Sequence, residues 1–223
     1  KNTAPAICFA CLAYDSDEIV LVTPSDHLIQ NVKVYEEKVA LAIEMAKEGK
    51  LVTFGIHPAY PETGYGYIEA GDGIDKDIFN VKSFKEKPNP KTAEYYVKSG
   101  NFWWNSGMFA FKAGVYLREL QKYSPDIYDA SVKVYVNSKR ETNVTSKIWL
   151  DEQLMATVPS NSIDYAVMEK TDNVCVVTAD MGWNDLGSFD AMYDIVEKDN
   201  CGNSRIGDVV YMYAKNNLVL PDY

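Results

Sequence analysis

Paired metal ligands are scarce in this chain, and so are the thiol and imidazole groups of nucleophilic catalysis. It has two histidines and four cysteines in 223 residues. Only Cys8 and Cys11 have CxxC spacing, inside the apolar run Ala6-Ile7-Cys8-Phe9-Ala10-Cys11-Leu12-Ala13, and no second Cys or His pair completes a zinc site. Buried free thiols on a core helix, in a reducing compartment, are the reading that follows. His27 and His57 have no Ser, Cys or His partner at motif spacing, and mainly structural roles are expected of them. Positive charge is also short, with 22 Lys and Arg against 32 Asp and Glu, a net charge of −10. That balance argues against nucleic acid as partner, because tracking a phosphate backbone needs a cationic excess to release counterions. The apolar runs stop far short of a bilayer crossing, and no charged-then-apolar leader opens the chain, so a soluble, cytoplasmic protein without a membrane partner is expected.

The stretch Glu18-Ile19-Val20-Leu21-Val22-Thr23-Pro24-Ser25-Asp26-His27 is the first positive signal. An aliphatic run of this kind predicts a strand buried on both faces. Pro24 ends it, leaving Asp26 beyond the carboxyl edge where open α/β sheets bind ligands. Far downstream, Asn173 to Thr178 predicts a second buried strand, and a short loop then delivers Trp183-Asn184-Asp185-Leu186-Gly187-Ser188. Two strand-end aspartates so placed can share one metal ion. Asp26 and Asp185 are therefore expected on adjacent strand ends.

Between these points strand and helix alternate. Asn2 or Thr3 caps a first helix with Pro5 in its opening turn. A helix from about Asn31 carries Val32, Tyr35, Val39, Ala42, Ile43 and Ala46 on one face and stops at Gly49. Leu51 to Ile56 is the next buried strand, which completes a βαβ unit. From His57 the glycines and prolines predict a loop-rich insertion with short strands. Ile78 to Lys87 follows as a strand, then a short helix through Ala93, Tyr96 and Val97 closed by Gly100, then an aromatic strand from Trp103 to Phe111. Helices are expected near Ala113 to Lys122 and Asp126 to Asn137, and mixed helix and loop over Glu141 to Val158. Ser162 caps a helix over Ile163 to Lys170, and Ser188 one carrying Phe189, Met192, Tyr193 and Val196. The tail, Val209 to Tyr213 with Leu218 to Leu220, reads as a hairpin or the first rungs of a separate β element. The whole is an α/β chain, with one large domain over 1–200 and the start of a C-terminal β region over 201–223.

Polar groups that interrupt this pattern are the candidates for chemistry. In Phe84-Lys85-Glu86-Lys87-Pro88, Lys87 can neutralise a phosphate while Glu86 accepts from sugar hydroxyls, with a solvated strand end as the alternative. Asn105 and Ser106 are the polar pair within an aromatic run. Gly64-Tyr65-Gly66 alone reads as a turn.

Seven segments, taken together and in order, resemble the sugar-phosphate nucleotidylyltransferases over nearly the whole chain. They are Asn2-Thr3-Ala4-Pro5-Ala6, Pro24-Ser25-Asp26-His27, Thr63-Gly64-Tyr65-Gly66-Tyr67-Ile68, Phe84-Lys85-Glu86-Lys87-Pro88, Trp104-Asn105-Ser106-Gly107-Met108, Ser162-Ile163-Asp164-Tyr165-Ala166-Val167-Met168-Glu169 and Trp183-Asn184-Asp185-Leu186-Gly187-Ser188. The resemblance is to the guanylyl-transferring branch of that family. It implies a Rossmann-like, mostly parallel mixed sheet with helices on both faces. It implies GTP and mannose 1-phosphate as partners, magnesium as cofactor, and GDP-mannose and pyrophosphate as products. Carried over by position, Asp26 and Asp185 become metal ligands, while Glu86, Lys87 and Asn105 contact the sugar phosphate. Asp26, Lys87 and Asp185 form the catalytic set. Gly66 lines the sugar pocket, and Asn2 and Thr3 lie near the nucleotide. The family's opening strand, its glycine-rich triphosphate loop and its catalytic Lys do not occur within residues 1–223, so both ends are expected to be cut and the chain alone to be inactive. Another sugar-1-phosphate nucleotidylyltransferase, or a non-catalytic sugar-nucleotide-binding subunit, fits the same residues. A homo-oligomer is left open.

Overall fold

The structure, a computed structural model, describes residues 1–142, 146–205 and 207–220. Its helices are α1 (Thr3–Leu12), α2 (Val32–Lys47), α3 (Pro90–Ser99), α4 (Ala113–Tyr123), α5 (Pro125–Val136), α6 (Glu152–Thr157) and α7 (Phe189–Ile195), with a π turn at Asp164–Met168. The strands are β1 (Ile19–Val22), β2 (Leu28–Ile29), β3 (Leu51–Ile56), β4 (Tyr67–Asp75), β5 (Ile78–Lys85), β6 (Phe102–Lys112), β7 (Lys139–Thr142), β8 (Ser146–Trp149), β9 (Val174–Ala179), β10 (Trp183–Asn184), β11 (Ser204–Arg205) and β12 (Leu218–Val219). Packing divides the chain into two compact units, Lys1–Pro24 with Asn31–Met181 and Ser25–Gln30 with Gly182–Tyr223. The division falls after Met181, ahead of residue 200, and takes the 25–30 segment with it.

In the larger unit, a six-stranded sheet has the order β1-β6-β3-β9-β5-β4. The α/β class with a mixed sheet is as expected, but the pairings are weighted differently. β3 and β9 are the parallel pair, and the other pairings of this sheet are antiparallel. The long aromatic strand β6 causes this. It inserts between β1 and β3 and runs against both, so β1, β3 and β9 still point the same way without all being neighbours. The carboxyl ends of a βαβ pattern are thereby retained at one sheet edge. Pairing also returns on itself, because the start of β6 bonds to β4 as well as to β3.

Every residue of β3 and β9 is buried, as their unbroken apolar runs predict. β1 departs from the same expectation. Its residues are half-buried, and Leu21 is 39% exposed. Among the described residues β1 pairs only with β6, so aliphatic composition alone overstated its burial.

Helices pack on both faces. α1 is capped by Asn2, whose side chain accepts from the Thr3 amide, and packs on α4 and α5 through the fully buried Ala4, Cys8 and Cys11. Cys8 and Cys11 are free thiols, pushed up to about 12 chiefly by burial. That core extends through Phe109, Phe111, Tyr116, Val174 and Val176. α2 begins at its Asn31 cap, ends before Gly49 at φ 89, and packs on β3, β6 and β9. α3 ends at Gly100, whose φ is 75. The insertion after His57 is more regular than its glycines suggest, since β4 runs nine residues and pairs with β5 through register shifts that absorb them. The span expected as mixed helix and loop holds α6 and the β7–β8 pair; its residues 143–145 lie outside the described residues.

The smaller unit has β2 antiparallel to β10, and α7 capped by Ser188, which accepts from the Ala191 amide at 3.1 Å. In the tail β11 pairs parallel with β12. Leu218–Val219 thus pairs with Ser204–Arg205 and not in a hairpin with Val209 to Tyr213. Val209 to Tyr213 does not form a strand.

Candidate functional site

The larger unit gathers polar side chains around Gly66, at the start of β4. Asn105 reaches this place because β6 is bulged. Between Thr53–Phe109 and Gly55–Asn105 the register advances two residues on β3 and four on β6. Gly107, at φ 72, takes the conformation that the extra residues require. Ser106, 1% exposed, locks the bulge: its Oγ donates to the Phe54 carbonyl at 2.9 Å and accepts from the Met108 amide at 3.3 Å.

The Asn105 amide is held on three sides. Its Oδ1 accepts from Gly107 N at 3.1 Å and from Thr53 Oγ1 at 3.2 Å, and its Nδ2 donates to Asp164 Oδ1 at 3.0 Å. Its backbone N–H donates to the Gly66 carbonyl at 2.8 Å. Glu86, just past the end of β5, points at the same glycine. A Cβ built on Gly66 would collide with Glu86 Oε2, so only glycine leaves room for that carboxylate. Oε2 is buried and has no hydrogen-bond partner among the described residues. The amide of Glu86 is tied instead, donating to Glu169 Oε1 at 3.1 Å.

Burial, then the charge of Asp164 and that of Glu169, raise the Glu86 carboxyl to about 7, against the opposing pull of Lys87. Asp164 is raised as well, first by burial. Lys87 is exposed and adopts φ 48, unusual for a residue with a Cβ. The expected residues Gly66, Glu86, Lys87 and Asn105 thus come together.

Three contributors were not singled out from sequence: Asp164, Glu169 and Thr53. Each left a trace. Thr53 is the one polar side chain in the buried run Leu51–Ile56, and Asp164 is a carboxylate set against the buried Ile163, Ala166, Val167 and Met168. The segment expected as an ordinary helix is a π turn, in which the Glu169 amide donates to the Asp164 carbonyl. Such turns often mark functional sites. Ile163 takes the cap position of that turn, and the Ser162 hydroxyl one residue earlier accepts from the Tyr165 amide at 3.4 Å. Thr3 Oγ1 accepts from the Ile163 amide at 2.9 Å. Thr3 therefore tethers the Asp164 segment, and Asn2 serves as the α1 cap.

Asp26 and Asp185 both belong to the smaller unit. The strands expected to bring them together, β1 and β9, are separated by β6 and β3. The strands next to them in the chain are β2 and β10, which pair with each other. Leu28 lies opposite Asn184, so Asp26 and Asp185 leave the same end of that ladder. Asp185 sits in a tight turn: its Oδ1 accepts from Gly187 N at 3.0 Å, and a Cβ on Gly187 would approach its Oδ2 to 2.8 Å. The intervening Leu186 is held at φ 53. Asn184 Oδ1 accepts from the Leu186 amide at 2.8 Å. Trp183 Nε1 donates to His27 Nδ1 at 3.1 Å, the structural role expected of that histidine.

The mixed α/β sheet with its packed helices is that of the nucleotide-diphospho-sugar transferase fold. The chain belongs to the nucleotidyl transferase family, whose profile matches residues 1–201. It is 48% identical over 219 residues to the xanthan biosynthesis protein XanB of Xanthomonas campestris pv. campestris (strain B100), covering 97% of this chain and 46% of that protein. It is 44% identical over 235 residues to a mannose-1-phosphate guanylyltransferase of Escherichia coli (strain K12), covering 98% and 48%. Among solved structures, a Thermus thermophilus protein described as a mannose-1-phosphate geranyltransferase superposes with a TM-score of 0.80 at 31% identity, over 93% of this chain and 58% of that one. The chain spans about half the length of the curated relatives it matches.

Proposed function

We propose that this chain supplies the sugar-phosphate pocket and the metal-binding carboxylates of an enzyme that transfers GMP from GTP to mannose 1-phosphate, releasing pyrophosphate and forming GDP-mannose. The observation that carries the reading is the Gly66–Glu86–Asn105 constellation. It presents a buried carboxyl oxygen, unpartnered among the described residues, and a fixed amide to one small space, the equipment for reading a polyhydroxylated ring. The names of the similar proteins favour mannose 1-phosphate among such ligands.

In the reaction a phosphate oxygen of the sugar attacks the α-phosphorus of GTP. A new P–O bond forms, and the bond to the β-phosphate's bridging oxygen breaks with its electron pair leaving on pyrophosphate. A phosphate monoester with a second pKa near ~6 is mostly dianionic at neutral pH, so no protein base is needed. The chain's task is to orient the nucleophile and offset charge. Glu86 and Asn105 hold the ring hydroxyls, and the exposed Lys87 ammonium neutralises the sugar's phosphate.

Asp26 and Asp185 fit a magnesium ion in their chemistry. They are hard oxygen donors leaving one ladder end, and magnesium is typically held by one or two carboxylates with substrate phosphates completing its shell. Among the described residues no larger cluster of His, Cys, Asp or Glu is built to hold a metal alone. When bound, magnesium would supply charge neutralisation on the phosphates. The test is transfer by the full-length protein, with GTP and mannose 1-phosphate set against ATP, UTP and glucose 1-phosphate. Magnesium-dependent GDP-mannose formation, preferred by at least about tenfold, is expected. Equal use of all pairs, or none, overturns the assignment.

A further inference from the structure

The Asn105 amide of the proposed sugar site is held in part by a residue of another element, Asp164. Asn105 is useful only if its amide presents nitrogen and oxygen in a fixed sense. Gly107 N and Thr53 Oγ1 both donate to Oδ1, and Asp164 Oδ1 accepts from Nδ2. Of these three, only Asp164 engages the nitrogen, and it comes from a separate element. The π turn places Asp164, and the Thr3 and Ser162 hydroxyls hold that turn's start. One Asn105 N–H is thereby consumed, and the other is aimed by it. The same carboxylate lies near Glu86, whose Oε2 is buried without a hydrogen-bond partner among the described residues.

We propose that Asp164 is a positioning residue for sugar-phosphate binding: it fixes the Asn105 amide through the hydrogen bond to Nδ2 and so holds that amide in one sense beside Gly66 and Glu86. This rests on the function proposed above. The charged and titratable groups around Glu86 are Asp164 and Tyr165 from the π turn, Glu169 beyond it, and Lys87 alongside. Burial is the first cause of the upward displacement at Glu86, and Asp164 the first among the charges. Removing the negative charge at Asp164 therefore lowers the pH of ionisation.

Two substitutions separate the effects. Asp164→Ala removes both the acceptor and the charge. Asp164→Asn removes the charge but keeps an amide oxygen that can accept from Asn105. In the full-length protein, Asp164→Ala should raise KM for mannose 1-phosphate by about tenfold or more and leave KM for GTP unchanged. Asp164→Asn should recover most of that loss. In the unsubstituted protein KM for the sugar phosphate should fall as pH rises through about 7, where Glu86 ionises. In Asp164→Asn that inflection should move to lower pH, while the one belonging to the substrate's own phosphate near ~6 stays in place.

A readout independent of turnover is the side-chain amide signal of Asn105 in a nitrogen-15-labelled sample. Its protons should exchange slowly in the unsubstituted protein and in Asp164→Asn, and rapidly in Asp164→Ala. Equal KM values for both variants, an unmoved inflection and an unchanged amide signal would overturn the proposal. If no nucleotide and sugar phosphate react at all, the function proposed above fails. The amide signal then decides the positioning role alone.

Discussion

A glutamic acid with an ordinary pKa near ~4.3 titrates at about 7 here, because burial and the charges of Asp164 and Glu169 outweigh Lys87. The sign for stability follows directly. A raised carboxyl pKa means that the folded chain holds the proton more tightly than the unfolded one. Folding is therefore progressively weakened as pH rises from the ordinary carboxylate range through about 7, and the full penalty persists above it. Glu86→Gln removes that penalty. In urea titrations the variant should be more stable at pH 8 by about 1 kcal/mol, a figure reduced for solvent screening of a half-buried group, and indistinguishable near pH 4. A constant difference at both pH values would mean that the carboxyl is not held up. In transfer assays the same change should relax discrimination between mannose and glucose 1-phosphates. Gly66→Ala acts on the same residue from the other side, since its new methyl meets the Glu86 carboxylate. It should raise KM for the sugar phosphate by roughly 10- to 100-fold, given what a misplacement of about 1 Å costs, with KM for GTP as the control. Part of this was legible in the sequence: Asn105 is a polar interruption of an aromatic run, and Glu86 sits in a charge cluster at a strand end. What it could not show is the convergence of β4, β5 and β6 on one glycine, which depends on long-range pairing.

Elements differ in how far sequence determines them. The caps of α1, α2 and α7 by Asn2, Asn31 and Ser188 follow from local chemistry, because a short polar side chain satisfies amides within three residues of itself. The six-residue runs of β3 and β9 were readable because both faces are covered. β1 was misjudged because burial of a strand depends on its neighbours, and its paired neighbour β6 arrives about ninety residues later. The bulge in β6 lies between these extremes. Asn105-Ser106-Gly107 announces a break, but only the shifted register on β3 shows that four residues oppose two. Its lock can be tested. Ser106→Ala leaves the Phe54 carbonyl and the Met108 amide without their buried partner, which should cost about 1–3 kcal/mol and lower Tm by roughly 2–4 °C per kcal/mol. Because the bulge aims Asn105, KM for the sugar phosphate should rise in parallel. A lower Tm with an unchanged KM would show that the bulge supports the sheet and not the pocket.

Across the whole chain, the two sets of proposed functional residues belong to different compact units. Gly66, Glu86, Lys87, Asn105 and Asp164 lie in the larger, and Asp26 and Asp185 in the smaller. Sequence ties the aspartates to the ends of β1 and β9, whereas they flank β2 and β10, two-residue strands too short to leave a periodic signal. The division predicts separable kinetic effects. Substitutions in the larger unit would remove the proposed contacts to the sugar phosphate, present before and during transfer, so they should act mainly on its KM. Asp185→Asn removes one of the two carboxylates proposed to hold the metal ion, whose positive charge would matter most as negative charge develops on the leaving pyrophosphate. It should therefore depress kcat by about 100-fold or more, with KM for mannose 1-phosphate within a few fold of its original value. The variant should also need more magnesium for half-maximal rate. Asp26→Asn should behave alike. The double variant should lose little beyond either single one, because two ligands of one ion act as a unit. Lys87→Met is the contrasting case, expected to raise KM for the sugar phosphate with kcat and magnesium demand nearly unchanged. Multiplying losses in the double aspartate variant would assign the two carboxylates to independent tasks, and the shared-ion proposal would fall.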